Sequence, residues 1–251
     1  MKKVESALIA TDFSEEAGYA LRRTAAIASQ TGLHGALVHV LPGSLPSSMH
    51  VHAASQAQQA LVLLAEEMNR EGLRFEPRLL SGDITGALVQ AASEFDMVLA
   101  GARGEGLLPD FALGRTSTRL VRHSGRPTLI VKQPPEGPYQ RVVAAVDFSQ
   151  PSREAAAWAL QLAPKAEFHF VHAFEVEFES TLRLAGAKEE VVHAYRREAR
   201  EQAAAAMDEF AGRLPLPPER IWRTVSRGYP PRLIVDCATQ VGAQLVVVGK
   251  H

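Results

Sequence analysis

The residues best suited to chemistry are glycines. Gly101-Ala102-Arg103-Gly104 is followed by nine residues and then Gly114. The first glycine ends the apolar run Met97–Ala100. A helical pattern over about Thr116–Ser124, with Leu120 and Val121 as core residues, follows the last. A glycine loop between a strand end and a helix start is a device for holding phosphate. Glycine lets the backbone approach closely, and the first N–H groups of the helix face the anion. The same glycines also suit tight turns, and spacing alone leaves both readings open.

Asp12 ends the first apolar run, and Asp147 recurs in the same setting. Asp12-x-x-Glu15 and Asp147-x-x-Gln150 both fit a capping box. The favoured reading makes Ser14 and Ser149 the helix caps and leaves the two aspartates free at strand ends. His39 and His172 lie inside apolar runs and read as satisfied core histidines. His50-x-His52 has no third ligand near it in sequence, so no metal site is expected. His123 precedes Ser124-Gly125 and suits a helix C-terminus. Cys237 shares a helix face with Leu233, Ile234 and Val241 and is expected in the core. The sequence holds no Gly-x-Ser-x-Gly elbow, no Gly-x4-Gly-Lys-Ser/Thr loop, no His-Glu-x-x-His and no Gly-x-Gly-x-x-Gly after the first strand. No catalytic set is visible, and any acid–base pair would have to be assembled by the fold.

The elements that must position these residues follow from an internal repeat. Ala7-Leu8-Ile9-Ala10-Thr11-Asp12-Phe13-Ser14 is answered by Val142-Val143-Ala144-Ala145-Val146-Asp147-Phe148-Ser149. Val38-His39-Val40 is answered by Val171-His172-Ala173, and Val98-Leu99-Ala100-Gly101 by Val246-Val247-Val248-Gly249. Three matched blocks in one order mark a duplicated unit. In the first repeat, short apolar runs predict strands at Ala7–Ala10, Ala36–Leu41, Arg78–Leu80, Met97–Ala100 and Thr128–Val131. Helices are predicted at about Glu15–Thr31, Ala53–Glu71 and Ile84–Glu94. In the second, strands are predicted at Val142–Val146, Phe168–Ala173, Ile221–Val225 and Leu245–Val248, with a charged helix over Lys188–Arg213. Alternating strands and helices predict parallel sheets covered on both faces.

Gln133-Pro134-Pro135-Glu136-Gly137-Pro138-Tyr139-Gln140 reads as a stiff linker. The expected domains are therefore residues 1–132 and 141–251. The second repeat stops two residues after Gly249 and lacks the final loop, helix and strand of the first. A missing strand would expose a sheet edge, so a natural chain that continues past His251 is expected. The 27 basic and 28 acidic side chains give a formal charge of −1. That balance argues against a broad basic surface for nucleic acid or membrane. The single cysteine excludes an intrachain disulfide framework, and no apolar run is long enough for a signal peptide or a span. A cytoplasmic protein is expected.

Asp12, the Val38-His39-Val40 strand, Gly101-x-x-Gly104-x9-Gly114 and the ending Leu120–Val131 together resemble the universal stress protein family. The resemblance covers the whole first repeat and the second as far as it runs. It implies two tandem adenine nucleotide alpha hydrolase-like (Rossmann-like) domains, with strand order 3-2-1-4-5 and final strands that pair across domains or protomers, including a homodimer. It implies a stress-response module that binds ATP or a related adenine nucleotide in the first domain. By this resemblance Asp12 would lie by the nucleoside, the Val40 backbone near the adenine, and Gly101, Arg103, Gly104 and Gly114 around the phosphates. The chain departs from the pattern at Arg115, where nucleotide-binding members carry Ser or Thr. Thr116 and Ser117 follow and offer hydroxyls, and Arg115 itself offers a cation to phosphate. The alternative is a nucleotide-free interaction or scaffold protein of the same fold, with the Lys188–Arg213 helix as a partner surface. At most weak ATP hydrolysis is expected.

Overall fold

The computed structural model describes residues 3–102, 113–176 and 179–250. The chain divides into two compact units, Met1–Pro138 and Tyr139–His251. Unit 1 runs β1 (Ser6–Ala10), α1 (Glu15–Thr31), β2 (His34–Pro42), α2 (Ser47–Arg70), β3 (Phe75–Gly82), α3 (Ile84–Ala92), β4 (Met97–Gly101), α4 (Arg115–His123) and β5 (Thr128–Val131). Its five strands are all parallel, in the order β3-β2-β1-β4-β5.

The central strands are buried on both faces, which explains their unbroken apolar sequence. Alternate residues of one face, among them Leu8, Val38 and Val98, pack with Leu88 and Ala92 of α3 and Leu120 of α4. The other face meets α1 and α2. Ser14 caps α1 by accepting from Ala17 N–H, and Gly32 ends it in the left-handed conformation with its N–H on the Ala28 carbonyl. The edge strand β3 is longer than its apolar run predicts because most of it is only half-buried. Pro77 is tolerated there because an edge strand has a side without a ladder. Helix α2 starts at Ser47, earlier than predicted, since its first turns are largely exposed and carry no apolar signal.

Unit 2 runs β6 (Arg141–Ala145), α5 (Gln150–Leu162), β7 (Glu167–Phe174), α6 (Glu179–Leu184), α7 (Glu189–Gly212), β8 (Ile221–Arg227), α8 (Pro230–Val241) and β9 (Leu245–Val248). Among the described residues its parallel sheet has the order β8-β7-β6-β9, the first four strands of the same plan. In unit 1, α3 packs against α4. The corresponding helix of unit 2, α8, has no such neighbour among the described residues and no fully buried side chain. Cys237, expected in the core, is accordingly only half-buried, and partial burial pushes its thiol pKa up. No helix among the described residues is long and apolar enough to cross a membrane.

His169 stacks on Trp222 across β7 and β8, with ring centroids 5.8 Å apart. Its Nε2 is buried without a hydrogen-bond partner among the described residues. Burial holds its pKa below the ordinary value of 6.5. The unfolded chain therefore binds the proton more readily than the folded one, and stability falls as pH drops through that value. Urea midpoints should decline between about pH 7 and pH 5, and His169→Phe should flatten that decline.

Candidate functional site

The strand order reverses between β1 and β4, which pair in register from Ala7↔Met97 to Ala10↔Ala100. Ligands of open α/β sheets bind beyond the carboxyl ends of strands at such a switch point. The chain there makes a braced turn. Thr11 N–H donates to the Val38 carbonyl, and Thr11 Oγ1 accepts from Phe13 N–H. Phe13 has φ 65°, a left-handed conformation that costs a bulky residue on the order of 1–3 kcal/mol. Its ring packs on His39 at 4.5 Å, and His39 Nδ1 lies 2.8 Å from the Thr11 carbonyl. His39 is thus satisfied by the turn it braces.

Asp12 is not free, contrary to the sequence reading. Its Oδ1 accepts from both the N–H and the hydroxyl of Ser14 and so orients the helix cap. Unit 2 repeats the device. Phe148 has φ 64°, packs on His172 at 4.3 Å, and Asp147 holds Ser149 in the same way. The sequence carries the signal for this brace as the paired recurrence of Asp-Phe-Ser and His.

Gly101 has a structural duty. A Cβ added there would stand 2.7 Å from the Glu16 carbonyl and 2.9 Å from Ala17 N, both backbone atoms of the first turn of α1. Gly249 meets Ser152 N at 2.6 Å in unit 2. These glycines exist so that a helix can start against the end of the fourth strand. The Gly101 carbonyl also accepts from the buried Ser117 hydroxyl at 2.7 Å. Ser117, read as a hydroxyl available to phosphate, is therefore committed to the strand end.

Gly114 caps α4 with φ −60° and ψ 158°, angles open to any residue, and provides no side-chain cap. Its own N–H donates to the Ala102 carbonyl. The first-turn amides of α4 thus meet no cap from Gly114. Arg115, Thr116 and Arg119 line an open cleft of about 510 Å³ together with Gly43, Ser44 and Thr85. The size is in the usual range for small-molecule sites. Arg115 is exposed on the wall of this cleft and leaves the space open.

The predicted site residues therefore separate. Arg115 and Thr116 meet in the cleft, and Gly114 starts the helix that carries them. Gly101 lies at the adjoining strand end. Val40 is buried on β2, two residues before Pro42, which forms part of the cleft wall. Asp12 sits at the switch point and is not part of the lining. Arg103 and Gly104 lie outside the described residues. Sequence reasoning missed Arg119 and the β2 and β3 ends, whose part in the site depends on which strands the fold makes neighbours. No group of three or more His, Cys, Asp or Glu is placed to hold a metal among the described residues.

The universal stress protein family profile matches residues 3–132 and again 138–251. The chain belongs to that family. It is 26% identical over 264 residues to a universal stress protein of Mycolicibacterium smegmatis, covering 97% of this chain and 86% of the relative. Among solved structures, a universal stress protein from Archaeoglobus fulgidus superposes with a TM-score of 0.71 at 20% identity, covering 96% of this chain and 85% of the other. A putative one from Pseudomonas aeruginosa gives 0.65 at 20% identity, covering 98% and 82%. At those identities the structures establish the shared fold. The family assignment places the chain in a stress-response class with two tandem domains.

Because backbone atoms confront it, Gly101→Ala should lower unfolding free energy by about 2 kcal/mol, within the range for overpacking a filled site. Gly249→Ala should do the same in unit 2. Chemical denaturation of each variant beside the unaltered chain measures both.

Proposed function

We propose that unit 1 of this stress-response protein holds an adenine nucleotide, ATP or a close relative, as a binding and regulatory module. The observation that carries this reading is the open cleft at the strand ends. The start of α4 faces it without a side-chain cap, and an unblocking Arg115 stands on its wall. An anion there would meet helix N–H groups and a guanidinium, two of the strongest phosphate partners a protein has. The phosphates occupy the cleft, and the nucleoside extends toward Asp12 and the backbone of Val40. Asp12 Oδ1 is engaged by Ser14, while Oδ2 has no partner among the described residues and suits a ribose hydroxyl. Thr116 replaces the hydroxyl that Arg115 displaces.

Unit 2 supplies an internal control. Asp12→Ala and Asp147→Ala remove equivalent braces on a serine cap, so each should cost about 1 kcal/mol of stability. Only Asp12→Ala should also weaken ATP binding. Isothermal titration of the unaltered chain should show one saturable ATP site. Absence of saturable binding at millimolar ATP would return the chain to the nucleotide-free interaction reading.

A further inference from the structure

We propose that Arg196 and Arg227 of unit 2 form a phosphate site, that Glu179 occupies it in the free protein, and that helix α6 is a lid that opens when a phosphate dianion takes the place of that carboxylate. The site lies in unit 2 and stands apart from the nucleotide reading of unit 1.

The two units differ where the second strand of each ends. In unit 1, four residues, 43–46, join β2 to α2. In unit 2, fourteen residues, 175–188, join β7 to α7 and include α6. Long connections at the ligand-binding end of a sheet are the usual source of lids.

Helix α6 is held at one end. Its first residue, Glu179, is buried, whereas its last, Leu184, is 90% exposed. Residues 185, 186 and 188 are exposed as well. Gly186 has φ 76° with open space where a Cβ would stand, which makes it a joint between α6 and α7.

The held end is a latch of charges. Glu179 Oε1 accepts from Arg196 Nη2, and Oε2 accepts from Arg196 Nε at 3.0 Å and from Arg227 Nη2 at 2.9 Å. Arg196 belongs to α7. Arg227 is the last residue of β8 and pairs with Phe174 at the end of β7, where unit 1 sets Ser81 opposite Leu41. The latch therefore ties α6 to both α7 and the carboxyl edge of the sheet.

Within the latch two guanidinium groups share one carboxylate. Glu189 adds a favourable field at Arg196, but its side chain is 59% exposed, where water screens it. A phosphate monoester carries close to two negative charges at neutral pH and offers three oxygens to two planar forks. It matches the pair better than a single carboxylate does. The Glu179 side chain is 10% exposed and that of Arg227 is 47% exposed, so an anion reaches Arg227 from solvent while α6 is still closed. The ligand chemistry is a phosphate dianion, free or at the end of a nucleotide.

Hydrogen-exchange mass spectrometry of the whole chain reads the lid through the amides of residues 179–188. Inorganic phosphate, AMP and sodium chloride are compared at matched ionic strength. Phosphate should speed exchange there about tenfold, the scale of one hydrogen bond to a charged group, and chloride should leave it unchanged. Arg227→Ala should remove the phosphate response. Glu179→Gln keeps the side-chain size and removes the competing charge, so it should speed exchange without ligand and lower the phosphate concentration at half-response of the nearby amides of α7. An equal response to phosphate and chloride is mere screening of an ion pair and overturns the proposal. Exchange unmoved by phosphate, or a response that survives Arg227→Ala, overturns it too, and these arms decide the matter even where Glu179→Gln does not fold. AMP acting at lower concentration than phosphate supports a nucleotide ligand, and equal action supports free phosphate. The readout is confined to unit 2, so a failure of ATP to bind in unit 1 leaves the proposal standing.

Discussion

Much of each unit depends on how closely the first helix can start against the end of the fourth strand. That approach requires a glycine on the strand and a turn tight enough to deliver the helix. Gly101 and Gly249 meet the first condition. The left-handed Phe13 and Phe148 meet the second, each held by a histidine that bonds to the carbonyl two residues before the phenylalanine and packs at a tilt on its ring. The strain at the phenylalanine persists because the histidine, the aspartate and the serine cap all fix the same turn. Ser117 then ties α4 to the Gly101 carbonyl, so one contact sets the position of two helices around the switch point.

The two copies put this common frame to different electrical use. In unit 2 a buried glutamate neutralises guanidinium groups beside the strand ends, and in unit 1 two arginines face open space without such a partner among the described residues. The brace itself recurs in both units, where it fixes the turn that starts the first helix. The nucleotide reading is proposed for unit 1, where the cleft and the start of α4 coincide.

The fold was largely legible in the sequence. The doubly buried strands β1 and β4 are unbroken apolar runs and emerged within a residue of their bounds, as did the apolar but less buried β5 and β9. Edge strand β3 and the first turns of α2 were underestimated, since half-exposed segments carry a weak hydrophobic signal. The site was legible only in part. The glycine pattern drew attention to the end of β4, where Gly101 also meets the backbone of α1 and its carbonyl accepts from Ser117, neither of which its spacing revealed. Spacing alone does not tell a glycine that admits a ligand from one that admits a helix, because both need the absence of a Cβ.

Residue order by itself determined the duplication, the alternation of strand and helix, the serine caps and the place of the glycine loop. All of these are local in the chain or repeat along it, and periodicity and cap chemistry encode them directly. Tertiary structure decided which groups are committed to the protein and which remain for a ligand. Asp12 is bound to its own cap, Ser117 to a strand end sixteen residues away, and Arg115 and Arg119 to no carboxylate among the described residues. Those outcomes depend on distances between elements remote in sequence, and only the packing of helices on a twisted sheet sets such distances.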